Sequence, residues 1–171
     1  MNPYTTLAKL AVETYIKDNK IIGPPKNLPQ EFLLKKAGAF VTILENGNLK
    51  GCIGTYLPTR ENIAQEIIHN AITAATEDYR FNSVTENDLD NLSYEVYILE
   101  KPEKIKNISE LDPLKYGVLV KSNTGKSGLL LPDLEGLNTT EKQLEAVCVK
   151  AGINPELENI EIYKFEAKKY K

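Results

Sequence analysis

Phe40–Val41–Thr42–Ile43–Leu44 runs into Glu45–Asn46–Gly47–Asn48 and out through Leu49–Lys50–Gly51–Cys52–Ile53–Gly54–Thr55. The first five residues are β-branched or aromatic apart from Leu44, the composition of a half-buried strand. Asn46–Gly47 supplies the two positive φ values that a two-residue type I′ turn demands. The stretch therefore predicts a hairpin, with Leu49 to Tyr56 as the returning strand. Leu57–Pro58 ends it, and Thr59 is placed to cap a helix. Ile63, Ala64, Ile67, Ile68, Ala71, Ile72 and Ala75 then fill one continuous side of the helical wheel.

On the N-terminal side, Leu7, Ala11 and Tyr15, with Ala8, Val12 and Ile16, make a second amphipathic helix over residues 5–18. Asn2 before Pro3 suits its cap, since proline in the first turn loses no hydrogen bond. Gly23–Pro24–Pro25 and Pro29 read as an extended connection. On the C-terminal side, Thr85–Glu86–Asn87–Asp88 suits a single helical turn. Leu92, Tyr94, Val96 and Ile98 alternate with Ser93, Glu95 and Tyr97, the period of a strand. Tyr116 to Lys121 and Ser127 to Leu131 form a second hairpin around Ser122–Asn123–Thr124–Gly125. Thr140–Glu141–Lys142–Gln143 has capping-box spacing ahead of Leu144, Val147, Cys148 and Ala151, and Gly152 is placed to stop that helix. A strand over Ile160 to Phe165 precedes a lysine-rich end, where Glu161 and Glu166 interleave with Lys164, Lys168, Lys169 and Lys171 and suggest a solvated terminus.

Hairpin, proline and helix thus occur twice. Gly51 to Pro58 sits where Ser127 to Pro132 recurs, which suggests two halves of similar build sharing one largely antiparallel sheet. The length, 171 residues, fits one domain. The expected class is α+β: a single domain with helices packed on both faces of an antiparallel-dominated sheet.

Composition narrows the function classes. Lys and Arg total 21 against 24 Asp and Glu, a formal net charge of −3, which disfavours a nucleic-acid binder. Two cysteines and one histidine leave little material for a zinc site or a disulfide framework. No apolar run approaches the length of a membrane span, and the first twenty residues lack a signal-peptide layout. A cytoplasmic protein with reduced thiols is expected, with neither membrane nor nucleic acid as partner. Phosphate-loop and Gly-x-Ser-x-Gly patterns are absent.

The chemistry that remains centres on Cys52. Glycine inside a strand weakens it, so Gly51 and Gly54 on either side need a reason, commonly a bulge or the close approach of a backbone or ligand. Cys52 reads either as a thiol left reachable between them or as a small buried hydrophobe. His69 sits roughly 160° around the wheel from the apolar arc of its helix, which rules out a Cys–His dyad. Activation of Cys52 falls instead to Arg80, a lysine or a helix N-terminus. Asp78 and Arg80, two apart after the long helix, either hold a polar ligand together or satisfy backbone groups where the helix ends. Glu95 is either solvent-exposed or a site carboxylate, and Cys148 belongs with the buried stripe of the late helix.

These residues resemble a known family. Leu49–Lys50–Gly51–Cys52–Ile53–Gly54–Thr55 is similar to the Leu-Arg-Gly-Cys-Ile-Gly-Thr hallmark of the AMMECR domain family. The similarity continues in order through Ala71, Ala74 and Ala75, then Asp78–Tyr79–Arg80–Phe81, Tyr94–Glu95–Val96, Gly128–Leu129–Leu130–Leu131–Pro132, Cys148–Val149–Lys150–Ala151–Gly152 and Phe165, nearly the whole chain. Lys50 stands where the family has arginine, a different group at a bidentate anion site, and Asn82–Ser83 stands where it tends to have prolines. The resemblance implies an α+β domain without an assigned reaction, working with a Memo-type protein and a radical S-adenosylmethionine enzyme; it specifies no cofactor. The site it suggests joins Cys52, as nucleophile or covalent anchor, to Lys50, Gly51, Gly54, Thr55, Asp78, Arg80 and Glu95 in a shallow ligand-binding cleft. An adaptor surface and a purely structural motif are the competing readings.

Overall fold

A computed structural model describes residues 2–171. Among them the strands form two four-stranded sheets, and the chain divides into two compact units: residues up to Leu99 together with Lys168–Lys171, and Glu100–Ala167.

The first unit opens with α1 (Pro3–Asp18), capped as its sequence requires by the Asn2 side chain accepting from the Tyr4 N–H at 3.0 Å. A one-turn helix, α2 (Glu31–Leu34), interrupts the proline-rich connection and buries Phe32. The hairpin of β1 (Gly38–Glu45) and β2 (Asn48–Thr55) closes through Asn46 and Gly47 at φ 49° and 82°, the expected pair of left-handed residues. A bulge lies between Ile43/Leu44 on β1 and Leu49–Gly51 on β2, so Lys50 is the extra residue. Helix α3 (Ile63–Thr76) follows, with its cap at Asn62 rather than Thr59. Thr59 instead serves a buried carboxylate described below. A 3-10 turn (Glu86–Asn91), boxed by Thr85 and Asp88, leads into β3 (Leu92–Leu99). Ala39, Val41 and Ile43 of β1 and Tyr94, Val96 and Ile98 of β3 pack with the apolar stripes of α1 and α3 into one core. The two helices touch each other and share that face of the sheet.

The second unit contains β4 (Glu103–Lys104), β5 (Gly117–Ser122), β6 (Ser127–Leu130), α4 (Thr140–Ala151) and β7 (Ile160–Phe165), around a smaller core of Val118, Val120, Val147, Cys148 and Ile153. Thr139, one residue before the expected capping box, caps α4, and Gly152 at φ 65° ends it. The final strand, β8 (Ala167–Tyr170), belongs to the first sheet.

Two expectations are corrected. There is not one shared sheet but two, ordered β2-β1-β3-β8 and β4-β7-β5-β6, and in the first unit both long helices lie on a single face. The lysine-rich end is solvated as expected, with Lys168, Lys169 and Lys171 exposed, and it also forms a strand. Lys169 pairs with Glu95 at 2.8 Å, and Tyr170 stacks on Tyr4 with ring centroids 3.8 Å apart.

The similarity of the halves is closer than the sequence suggests. Val41, Thr42 and Ile43 face Ile53, Cys52 and Gly51, while Val118, Leu119 and Val120 face Leu130, Leu129 and Gly128. One constant offset relates the two hairpins and carries the start of α3 onto the start of α4. The third strand of each half lies antiparallel beside the first, β3 on β1 and β7 on β5. Gly51 therefore corresponds to Gly128, not to the glycine that aligning Pro58 with Pro132 selects. The closing strands are exchanged. β4 follows β3 in the chain yet pairs with β7, while β8 follows β7 yet joins the sheet of β3.

Candidate functional site

Alternation along β2 sends Gly51 and Cys52 to opposite faces. A Cβ built on Gly51 would lie 2.1 Å from the Ala74 carbonyl oxygen of α3, so Gly51 faces the helix and lets it approach. Cys52 accordingly points to the other face, away from α3 and therefore from His69, and its sulfur lies 3.1 Å from Thr42 Oγ1. Thr42 is the cross-strand neighbour of both Cys52 and Glu95, and the three form one row over β2, β1 and β3. In the second unit the same row holds Leu129, Leu119 and Tyr163.

The turn after α3 grips Cys52 from the outer side of β2. The Cys52 N–H donates to Asp78 Oδ2 at 2.9 Å, and Arg80 donates from one terminal nitrogen to the Cys52 carbonyl at 3.3 Å. Arg80 also donates to both Asp78 oxygens, through Nε at 2.9 Å and the same terminal nitrogen at 2.7 Å. Its backbone N–H donates to Asp78 Oδ1 at 3.2 Å. Asp78 is buried, and its carboxyl is lowered to about 2: the Arg80 hydrogen bond pulls it down, burial opposes, and the Cys52 and Arg80 N–H groups assist. Arg80 is pushed up in turn, chiefly by its hydrogen bond to Asp78, with Cys52 among the groups it feels electrostatically. Its side chain is 47% exposed, and its second terminal nitrogen bonds none of the described residues. Cys52 itself is half-buried.

The other candidate residues separate. Lys50 is held by Glu45 at 3.2 Å and Asp88 at 3.8 Å at the bulge. Gly54 lies under the Phe40 ring, whose Cγ would sit 2.3 Å from any Cβ there. Thr55 turns toward α3 and donates to Glu66 Oε1 at 2.5 Å. Glu95 receives Lys169 and Lys171 at 2.8 and 3.4 Å. Burial is the largest single influence on its carboxyl and raises the pKa, but the two lysines outweigh it and the net shift is downward. The structure therefore brings Cys52, Asp78 and Arg80 into contact, sets Glu95 in the same row, and assigns Gly51 and Thr55 to the helix face.

A family model described as AMMECR1 matches residues 5–170. The chain belongs to the AMMECR1 family. A Thermotoga maritima relative is 47% identical across 99% of this chain and 98% of its own length. A Clostridium acetobutylicum relative is 42% identical over 99% of the chain, which spans only 36% of that longer protein. The crystal structure of an uncharacterized Pyrococcus horikoshii protein has a TM-score of 0.89 at 35% identity, covering 97% of this chain and 88% of that one. None of these AMMECR1-type relatives carries a name that states an activity. No helix among the described residues is long and apolar enough to cross a membrane.

Three polar residues of this AMMECR1-family chain escape a reading by motif. Glu66 is 1% exposed and accepts from Thr55 Oγ1, Thr59 N–H, Thr59 Oγ1 and Arg60 N–H, so it fastens the β2–α3 connection. Asn70 donates to the Ala39 carbonyl at 2.9 Å. The signal for both was their position three and seven residues after Ile63, on the stripe that packs. Thr42 had no such signal: the Asn46–Gly47 turn alone would set it opposite Gly51, and the bulge at Lys50 moves it opposite Cys52.

Proposed function

We propose that this domain is an accessory, small-molecule-binding module of the cytoplasm that takes an anionic ligand at the Cys52 thiol and the Arg80 guanidinium. In this reading it works alongside a Memo-type protein and a radical S-adenosylmethionine enzyme. The observation that carries the reading is internal to the chain. The second half reproduces the hairpin register and keeps the helix-facing glycine as Gly128, whose Cβ would meet Ala151 at 2.7 Å. It does not keep the thiol, for which it has Leu129. The glycine answers a packing demand of the hairpin–helix arrangement; the cysteine answers none. Asp78 then acts through its neighbours, fixing the Cys52 backbone and aiming Arg80. A half-exposed guanidinium bonded to the backbone of a partly exposed cysteine suits a carboxylate or phosphate ligand. The length of the Clostridium acetobutylicum relative supports a module used with further chain.

Alkylation tests the ligand site. Cys52 should react with iodoacetamide at least about tenfold faster than Cys148, which is 5% exposed and whose thiol burial pushes up. Arg80→Gln should lower the iodoacetate-to-iodoacetamide rate ratio at Cys52 by roughly fivefold, since only iodoacetate is anionic. Equal, slow labelling of the two thiols in the folded protein removes the proposal. The partner reading has its own measurement. A Memo-type protein should co-purify with the wild-type chain and be lost on Arg80→Glu at unchanged circular dichroism.

A further inference from the structure

We infer that Thr42 is the positioning residue of this site, holding the Cys52 sulfur in place and donating a hydrogen bond to its thiolate form. The inference rests on the ligand-site reading above and extends it to a residue outside the family hallmark. Thr42 is 8% exposed, so its hydroxyl needs a partner within the protein. Among the described residues that partner is Cys52 Sγ at 3.1 Å. The hydroxyl is not a requirement of the strand. The corresponding position of the second half is Leu119, 2% exposed and facing Leu129. A threonine opposite a cysteine, where the same frame elsewhere has two leucines, pairs a donor with a sulfur acceptor by design of the site. When the thiol carries its proton, either atom can donate. Once the proton has left to solvent, the sulfur is acceptor only and the Thr42 O–H must be the donor. The hydroxyl thus favours the thiolate, the form that attacks an electrophile or holds a covalent adduct. The Cys52 backbone is already fixed by Asp78 and Arg80, and the Thr42 bond restrains the rotation of the side chain about Cα–Cβ.

The test is the pH dependence of iodoacetamide alkylation at Cys52 in the full chain, with Cys148 protection as the folding control. Thr42→Val keeps the β-branched shape and removes the donor. Its rate midpoint should move up by about one pH unit, and the Cys52 rate at neutral pH should fall by about tenfold. Thr42→Ser restores a donor and should return the midpoint to the wild-type value. An unshifted midpoint in Thr42→Val, or a Thr42→Ser profile that follows Thr42→Val, overturns the inference. If wild-type Cys52 reacts no faster than Cys148, the ligand-site proposal itself has failed. Rapid wild-type reaction with no Thr42 dependence sinks this inference alone.

Discussion

Gly51→Val should destabilise the protein by about 3 kcal/mol or more, read as a lowered urea midpoint at unchanged slope. The first atom of any side chain at this position would stand 2.1 Å from the Ala74 carbonyl oxygen, with the Ala74 carbonyl carbon at 3.0 Å. Both are helix backbone, which cannot rotate aside as a side chain can. Relief requires α3 to lift from β2, opening the core around Ile67, Ala71 and Ile43, all fully buried. Gly128→Val supplies the comparison. There the obstacles are the Ala151 methyl at 2.7 Å and the Val147 oxygen at 2.9 Å, so the loss should be smaller, about 1–2 kcal/mol. Equal small losses at both positions would mean that the helix faces are looser than the glycines imply.

Asp78→Asn should cost about 2 kcal/mol near neutral pH, and the cost should shrink in acid. The side chain keeps its shape but turns one acceptor oxygen into a donor that faces Arg80, in a group whose side chain is 2% exposed. The sign of the pH dependence follows from the carboxyl, held at about 2 when folded against about 3.9 unfolded. A depressed folded value means that the unfolded chain binds the proton first. The stabilisation is therefore complete above the unfolded value and disappears as pH falls from about 4 through about 2. Urea unfolding of both proteins across that window should give curves that converge at its acid end. A constant gap would assign the loss to packing rather than to the charge.

Much of this fold could be read from local chemistry because local chemistry determines it. The Asn46–Gly47 turn fixes the first hairpin, and the stripes on α1 and α3 and the alternation along β3 name their buried faces. The partition of strands into two sheets escaped such a reading, since β4 and β8 are short, charged and paired with strands distant in sequence. Nothing in Glu103–Lys104 or Ala167–Tyr170 has a strand's apolar period. The site divided the same way. Cys52, Asp78 and Arg80 follow from a motif, and their contact needs only that the turn after α3 reach back to β2. Gly51 and Gly54 bracket Cys52–Ile53 in sequence, yet one faces a helix and the other an aromatic ring, a distinction only three-dimensional packing makes. Thr59 looked like a cap because its spacing to Ile63 is right; the buried Glu66 drew it away.

The grip of Asp78 and Arg80 on Cys52 has a consequence for how this protein behaves in a crowd. β2 is the outermost strand of its sheet, and its neighbour β1 is rich in the residues that nucleate cross-β stacking. An outermost strand with bare amides and carbonyls invites a foreign strand to add to it. Here the midpoint of that margin is already occupied by a carboxylate and a guanidinium from the same chain, which bond it as a short strand would. The pair that aims the thiol also keeps strangers from docking along it, so fibril-prone contact and loss of the site are guarded by the same two side chains.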